Sequence, residues 1–203
     1  MPEQSKFEEY EFGSSWTQRE SMARGSHALV DAGRVWLIDP VDSEGDIDRA
    51  VGDNEPAGVI QLLDRHNRDC AAVAERLGVP HHNLPTELPD TPFTAFPVIN
   101  NRLWREVALW WPEHNTLIVT EAIGTNPALA VADTGVAVHP GLRLTPPGAL
   151  RPYTDVHHLL PGHGEPLHAP DLGERIQTAL DKSRTDLPRT IARIPKMIKA
   201  ARS

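Results

Sequence analysis

The segment of residues 58–77 joins an apolar run to a helical pattern through a charged turn. Gly58–Leu63 predicts a short buried strand, and Asp69–Leu77 predicts the helix that follows it. Chemistry in α/β proteins is often placed at such a junction, because the end of a buried strand and the first turn of a helix hold side chains rigidly. The positive end of the helix dipole also favours an anion such as the Asp69 carboxylate. The turn itself carries two arginines, Arg65 and Arg68.

The single cysteine of the chain, Cys70, lies at the start of that helix. One cysteine excludes an internal disulfide and an all-cysteine zinc site, so a metal would have to be held largely by histidines and carboxylates. Because Cys70 precedes a run of small apolar residues, it is typical of a buried packing residue; a thiol of lowered pKa is the alternative. Four histidines in predicted strand edges or loops are expected to be solvated: His27, His114, His139 and His168.

Composition predicts one acidic domain whose body does not bind nucleic acid by charge. The 203 residues carry a formal net charge of −8 and predict a single domain over residues 1–203. Residues 182–203 hold seven Lys or Arg and one acid, a net of +6, which leaves −14 on the remainder. We expect residues 189–202 to form a basic amphipathic helix that docks on this acidic body. The polar start and the lack of a long apolar run predict a cytoplasmic protein without a membrane partner.

The remaining elements predict an α/β sandwich of mixed sheets. Residues 26–31 and 34–39 form a hairpin around Ala32-Gly33, and residues 105–111 and 116–123 form a second hairpin. Shorter predictions are a helix over 43–51, a proline-rich loop over 84–97, a strand over 156–160 and a helix over 170–183. Hairpins at the start and in the middle of the chain argue against a doubly wound parallel sheet. The chain has no glycine-rich phosphate loop and no nucleophile elbow.

Four segments in this order resemble the metallo-β-lactamase fold superfamily. They are SHALVDAGRVWLIDP, VIQLLDRHNRDCAAVAERLG, EVALWWPEHNTLIVTEAIG and HHLLPGHGEP, and the resemblance that they carry extends over most of residues 26–168. The last, with Pro161–Gly164 as Pro-Gly-His-Gly, matches nearly letter for letter, and the others match by pattern. The resemblance implies a four-layer αβ/βα sandwich of two mixed sheets. It also implies a binuclear zinc site that hydrolyses esters, thioesters or lactams with zinc-activated water.

The metal-binding motif Thr-His-x-His-x-Asp-His is where the chain departs from that superfamily. Setting Asp69 on the motif aspartate places Arg65, Asn67 and Cys70 on its three histidines. A competing register sets His66 on the second histidine and Asp69 on the third, with Arg68 where the aspartate belongs. Residues 100–106, which should supply the next histidine, contain none. At the bridging aspartate the chain offers Glu121 after a shift of one residue.

Two functions follow from this resemblance. In the first, the binuclear site is largely lost, the protein is non-catalytic or weakly active without a cofactor, and Arg65 or Arg68 replaces the metal charge beside Asp69 and Glu121. In the second, one zinc ion serves a hydrolase, with Asp69, Cys70 and His163 as ligands. The catalytic candidates are then Asp69 and His163, and a small-molecule ligand is the expected partner. The pocket residues are Arg65, His66, Asn67, Arg68 and Glu121.

Overall fold

Two mixed β-sheets form the framework of the chain in this computed structural model, which describes residues 5–43, 45–66, 68–126 and 134–189. The first sheet has six strands in chain order: β1 (Ser5–Tyr10), β2 (Gly13–Gln18), β3 (Gly25–Asp31), β4 (Arg34–Ile38), β5 (Glu55–Gln61) and β6 (His81–Asn83). Its first four strands are antiparallel, whereas β4, β5 and β6 run parallel to one another. The predicted hairpin at Ala32-Gly33 is confirmed, and both turn residues have positive φ, at 48° and 77°.

The second sheet has five strands and the order β13-β12-β9-β8-β7. They are β7 (Thr94–Asn101), β8 (Trp104–Trp111), β9 (Thr116–Val119), β12 (His158–Pro161) and β13 (Leu167–His168). Strands β9 and β12 are parallel neighbours and the other pairs are antiparallel, so this sheet is mixed as well. A separate pair consists of β10 (Ile123–Gly124) and β11 (Ala137–Val138).

Three apolar layers separate the sheets and helices. The layer between the sheets packs Trp36 and Ile60 of the first sheet against Leu109, Trp111 and Ile118 of the second. A second layer lies under α1 (Asp46–Val51) and α2 (Cys70–Leu77), and a third lies under α3 (Leu172–Lys182). The order helix, sheet, sheet, helix confirms the predicted four-layer αβ/βα sandwich.

Parts of the predicted secondary structure need correction. The hairpin of β1 and β2 was not predicted, because its short polar strands lack a clear apolar alternation. The loop predicted for 84–97 is wrong at its end, where β7 begins at Thr94 and includes Pro97. Proline is tolerated there because β7 is an edge strand and its pairing shifts register between Pro97 and Ile99.

The predicted basic helix over 189–202 lies outside the described residues from position 190 onward. Within the described part of the chain, no helix is both long enough and apolar enough to cross a membrane.

The prediction that His27 is solvated is wrong, because β3 is an inner strand and the side chain lies inside the sandwich at 2 % exposure. Its ring bonds to Ser15 Oγ at 2.7 Å and to the Pro161 carbonyl at 3.1 Å, so it connects the two sheets. Burial lowers the pKa of His27 to about 3, against the hydrogen bond to Pro161, which acts to raise it.

We expect His27 to make the fold sensitive to acid. The unfolded chain protonates this histidine below about pH 6.5, whereas the folded protein resists until about pH 3, so stability falls as the pH falls through this window. Between pH 7.5 and 5.0 the free energy of unfolding should drop by about 2 kcal/mol more in the wild type than in His27→Gln. Urea denaturation at both pH values measures this difference, and equal drops in the two proteins would contradict it.

Candidate functional site

The carboxyl ends of four strands meet at one edge of the sandwich. In the first sheet, parallel strands β4 and β5 lead into Asp39 and into the turn at residues 62–69. In the second sheet, parallel strands β9 and β12 lead into Glu121 and His163. Side chains that follow the ends of parallel neighbours lie at the same edge of a sheet, and here both sheets contribute to it.

Close backbone contacts hold His163 in place. A Cβ on Gly162 would lie 2.5 Å from the Thr120 carbonyl oxygen, and Gly164 has a φ of 102° beside Thr125. Only glycine fits both positions, which explains the Pro-Gly-His-Gly sequence. The Gly164 N–H donates to the carbonyl of Ala23, so the turn is also tied to the start of β3.

His66, Glu121 and His163 form a group of potential metal ligands. One ligand atom from each lies within 4.8 Å of the others, and no second group of three meets this spacing among the described residues. The His163 Nε2 to Glu121 Oε1 distance is 4.0 Å, and the two imidazole rings are 5.4 Å apart in an edge-on arrangement. All three side chains are largely buried, with exposed fractions of 8–17 %.

Each member of this group has an enclosed polar atom that lacks a hydrogen-bond partner in the described part of the chain. These atoms are Nδ1 of His66, Oε2 of Glu121 and Nε2 of His163. The Nδ1 of His163 lies 2.9 Å from the Met22 carbonyl, which can only accept, so Nδ1 carries the proton and Nε2 presents its lone pair. Burial lowers the pKa of His163 to about 4, which keeps this imidazole neutral at pH 7.

Asp39 is a buried carboxylate behind this group. It accepts hydrogen bonds from the Leu62 N–H at 3.2 Å and from Thr120 Oγ1 at 3.1 Å, so it joins the two sheets. Its Oδ2 lies 3.7 Å from His66 Nδ1, an electrostatic contact longer than a hydrogen bond. Burial acts to raise the pKa of Asp39, but His66 and the Arg68 charge outweigh it and lower the pKa. The residue has a φ of 45° although it is not glycine, a strained conformation that the surrounding contacts must maintain.

Arg68 provides the cation next to Asp39. Its Nη1 donates to the carbonyls of Gly25 and Asp39, and its Nη2 donates to the Gly162 carbonyl at 2.8 Å. The guanidinium thus bonds the start of β3, the end of β4 and the turn before His163. Burial lowers the pKa of Arg68, and the negative charge of Asp39 opposes this shift.

Arg65 lies at the outer side of the group. Its Nε is 3.7 Å from Glu121 Oε2 and 3.9 Å from Asp64 Oδ1, and its guanidinium stacks on the Trp104 ring at 4.4 Å. Trp104 in turn donates its Nε1–H to Glu106 at 3.1 Å. The prediction that an arginine would lie beside Glu121 agrees with this geometry, whereas the cation at the centre of the edge is Arg68 and its carboxylate neighbour is Asp39.

Asp69 and Cys70 are not members of the three-residue group around His163. Asp69 Oδ2 accepts from the Asp42 N–H at 2.8 Å, in front of α2. Cys70 Sγ is buried 4.0 Å from Asp39 Oδ1, and burial raises the pKa of its thiol. Asn67 lies outside the described residues. The ligand and catalytic roles assigned to these residues from the sequence stay predictions, and the structure offers His66 and Glu121 as alternative neighbours for His163.

Two buried carboxylates of this edge were missed by sequence reasoning. Asp39 was read as the end of a strand, although an acid before proline at the end of an apolar run was a usable signal. Glu106 is fully buried in β8 and accepts from the N–H groups of Glu121 and Ala122 at 2.8 and 2.9 Å. Burial raises the pKa of Glu106 to about 7, and these donors oppose the shift. Its signal was the single acidic residue in residues 105–111, directly before an apolar run.

Comparison with known proteins identifies the fold. No protein-family model and no curated protein matches the sequence. The crystal structure of DIM-1 metallo-β-lactamase exposed to ceftazidime matches with a TM-score of 0.62 at 13 % identity, covering 89 % of this chain and 98 % of that chain. TMB-1 matches with a TM-score of 0.59 at 15 % identity, covering 88 % and 98 %. VMB-1 at pH 5.5 matches with a TM-score of 0.62 at 10 % identity, covering 89 % and 98 %. The chain therefore has the metallo-β-lactamase fold, as its motifs indicated.

We expect Arg68 to be required for stability. Arg68→Ala removes the donor to three carbonyls and leaves Asp39 without its compensating charge, which should cost roughly 3–5 kcal/mol of unfolding free energy. Arg68→Lys keeps the charge but cannot reach the same three acceptors, so its loss should be intermediate. Chemical denaturation measures both. Arg65→Ala is the matched comparison from the same turn, with an expected loss below about 1 kcal/mol, since its ion pairs are long and about half of the Arg65 side chain is exposed. Equal losses for Arg65→Ala and Arg68→Ala would contradict this assignment.

Proposed function

We propose that the protein is a hydrolase of esters, thioesters or lactams that uses a single metal ion held by His66, Glu121 and His163. The observation that carries this proposal is the set of three enclosed polar atoms without hydrogen-bond partners in the described chain, on three side chains whose ligand atoms lie within 4.8 Å. Buried polar groups are normally satisfied, so a set of this kind is typical of a missing ligand.

The donor types fit zinc. Two imidazoles and one carboxylate are a common ligand set of catalytic zinc sites, in which a fourth position stays open. The hydrogen bond from His163 Nδ1 to the Met22 carbonyl fixes the tautomer that a metal ligand needs. The N–H of Glu121 is held by the Glu106 carboxylate, which orients this ligand from behind. A bound zinc ion would supply Lewis-acid activation of water and of the substrate carbonyl.

The residues around this group would keep it dry and rigid. Asp39 and Arg68 fill the inner side with opposite charges and five hydrogen bonds that involve both sheets. Water and substrate would therefore approach from the outer side, past Arg65 and Trp104. Buried neighbours would hold the metal ligands in place, and a hydrolytic site requires such rigidity.

A metal-free binding protein is the second candidate, and one observation favours it. Two guanidinium groups, from Arg65 and Arg68, lie at the edge where a zinc ion would bind, and Arg65 is 3.7 Å from the Glu121 carboxylate. Such cations offset the charge of Glu121 and Asp39 without a metal. The two candidates differ in metal content, which decides between them.

We expect one zinc ion per chain. Elemental analysis of dialysed protein should give one equivalent, and His66→Ala, Glu121→Gln and His163→Ala should each lower the zinc affinity at least about tenfold. Asp69→Asn is the matched control, because Asp69 is not part of the three-residue group and its carboxylate accepts from the Asp42 N–H. Two equivalents, or a loss of zinc in Asp69→Asn equal to that in His163→Ala, would contradict the single site. If the purified protein contains no zinc and hydrolyses no acyl ester, the metal-free binding function is favoured.

A further inference from the structure

Arg65 lies at the mouth of the site, the outer side that Arg65, Trp104 and Arg105 form. Few of the hydrogen-bond donors of its guanidinium have partners. Its two carboxylate neighbours, Glu121 and Asp64, are 3.7 and 3.9 Å from Nε, which is beyond hydrogen-bond distance. No hydrogen bond of its guanidinium is found among the described residues, and about half of the side chain is exposed. A guanidinium has five N–H donors, so this group faces solvent with most of its donors available.

The position of this cation is nevertheless well defined. The Arg65 guanidinium stacks on the Trp104 ring at 4.4 Å, and the Trp104 indole is fixed by its hydrogen bond to the buried Glu106. The same Glu106 holds the Glu121 backbone through a second oxygen. The buried Glu106 carboxylate therefore positions both the metal-ligand candidate Glu121 and the Trp104 ring on which Arg65 stacks. Such stacking pre-orders the guanidinium and reduces the entropy lost when it binds an anion.

Arg105 adds a second positive charge at the same place. Its Nε is 3.7 Å from Asp64 Oδ2, while Arg65 approaches the other oxygen of Asp64. The two guanidinium groups thus flank one carboxylate, and Arg105 is exposed as well. With a divalent cation at His66, Glu121 and His163, the charge of Glu121 is compensated by the metal. The mouth then carries two arginines against the single charge of Asp64.

We propose that Arg65, assisted by Arg105, binds a carboxylate of the substrate, so that the site selects acyl compounds that carry a second, anionic group. This inference rests on the proposed hydrolase function of the same site. A planar guanidinium with free donors matches a carboxylate through two parallel hydrogen bonds, which a neutral acyl chain cannot form. The anionic group would lie against Trp104 while the acyl carbonyl faces the three-residue group.

Two esters of equal acyl length test this selectivity. Zinc-loaded protein is assayed with mono-p-nitrophenyl succinate and with p-nitrophenyl butyrate, and the ratio of their kcat/KM values is the measured quantity. We expect the ratio to favour the succinate ester at least about tenfold and to fall about tenfold or more in Arg65→Gln, as the loss of a charge-assisted pair predicts. The control is Arg49→Gln, since Arg49 also stacks on a ring and faces a carboxylate but belongs to α1. An unchanged ratio in Arg65→Gln would overturn the inference.

A binding measurement on metal-free Glu121→Gln, in which a neutral side chain reproduces the compensated charge of Glu121, separates this inference from the proposed function. The side-chain Nε–H signal of Arg65 is followed by nuclear magnetic resonance while succinate or its neutral analogue succinamide is added. A saturable shift with succinate alone supports the anion site, even if the protein proves to bind no zinc and to hydrolyse no ester. The absence of any shift with succinate, or equal shifts with succinamide, counts against the anion site whether or not zinc and hydrolysis are found.

Discussion

The Arg68 guanidinium is the interaction on which the site end of the sandwich depends. Without it, the carbonyls of Gly25, Asp39 and Gly162 would each lose a donor and the buried charge of Asp39 would lack its neighbouring cation. One planar cation satisfies carbonyls from both sheets, because its two Nη groups reach Gly25 and Gly162 together. The position of His163, which follows Gly162 directly, is therefore set by an arginine from the other sheet.

Asp39 and the glycines of the Pro-Gly-His-Gly turn complete this arrangement by close approach. Asp39 adopts a positive φ that places its carboxylate between Leu62 and Thr120. Gly162 brings the second turn against the Thr120 backbone. Strain in one segment and the absence of a side chain in the other thus allow four chain segments to meet within a few ångströms. Backbone conformations of this kind persist only where the surroundings over-determine them.

The sequence predicted the fold better than the site. Hairpins such as 26–39 and the near-verbatim Pro161–Gly164 turn are local signals, and they gave the αβ/βα sandwich. The site depends on contacts between distant segments. His66 was assigned to the pocket, but its proximity to Glu121 and His163 follows from how the turn after β5 folds back, which no local pattern states. Glu106 was missed because its role comes from burial and from two backbone donors 15 and 16 residues away.

Arg65 and Arg68 lie in the same turn but differ in how much the fold depends on them. Arg68 is enclosed by carbonyls from both sheets, whereas Arg65 touches the rest of the protein through a ring face and two long ion pairs. We therefore expect substitutions at position 65 to cause little misfolding, whereas substitutions at position 68 should be removed by selection for a folded protein. Changes at position 65 alone could therefore alter which ligands the site binds, although position 68, three residues further on, has to remain arginine for the fold.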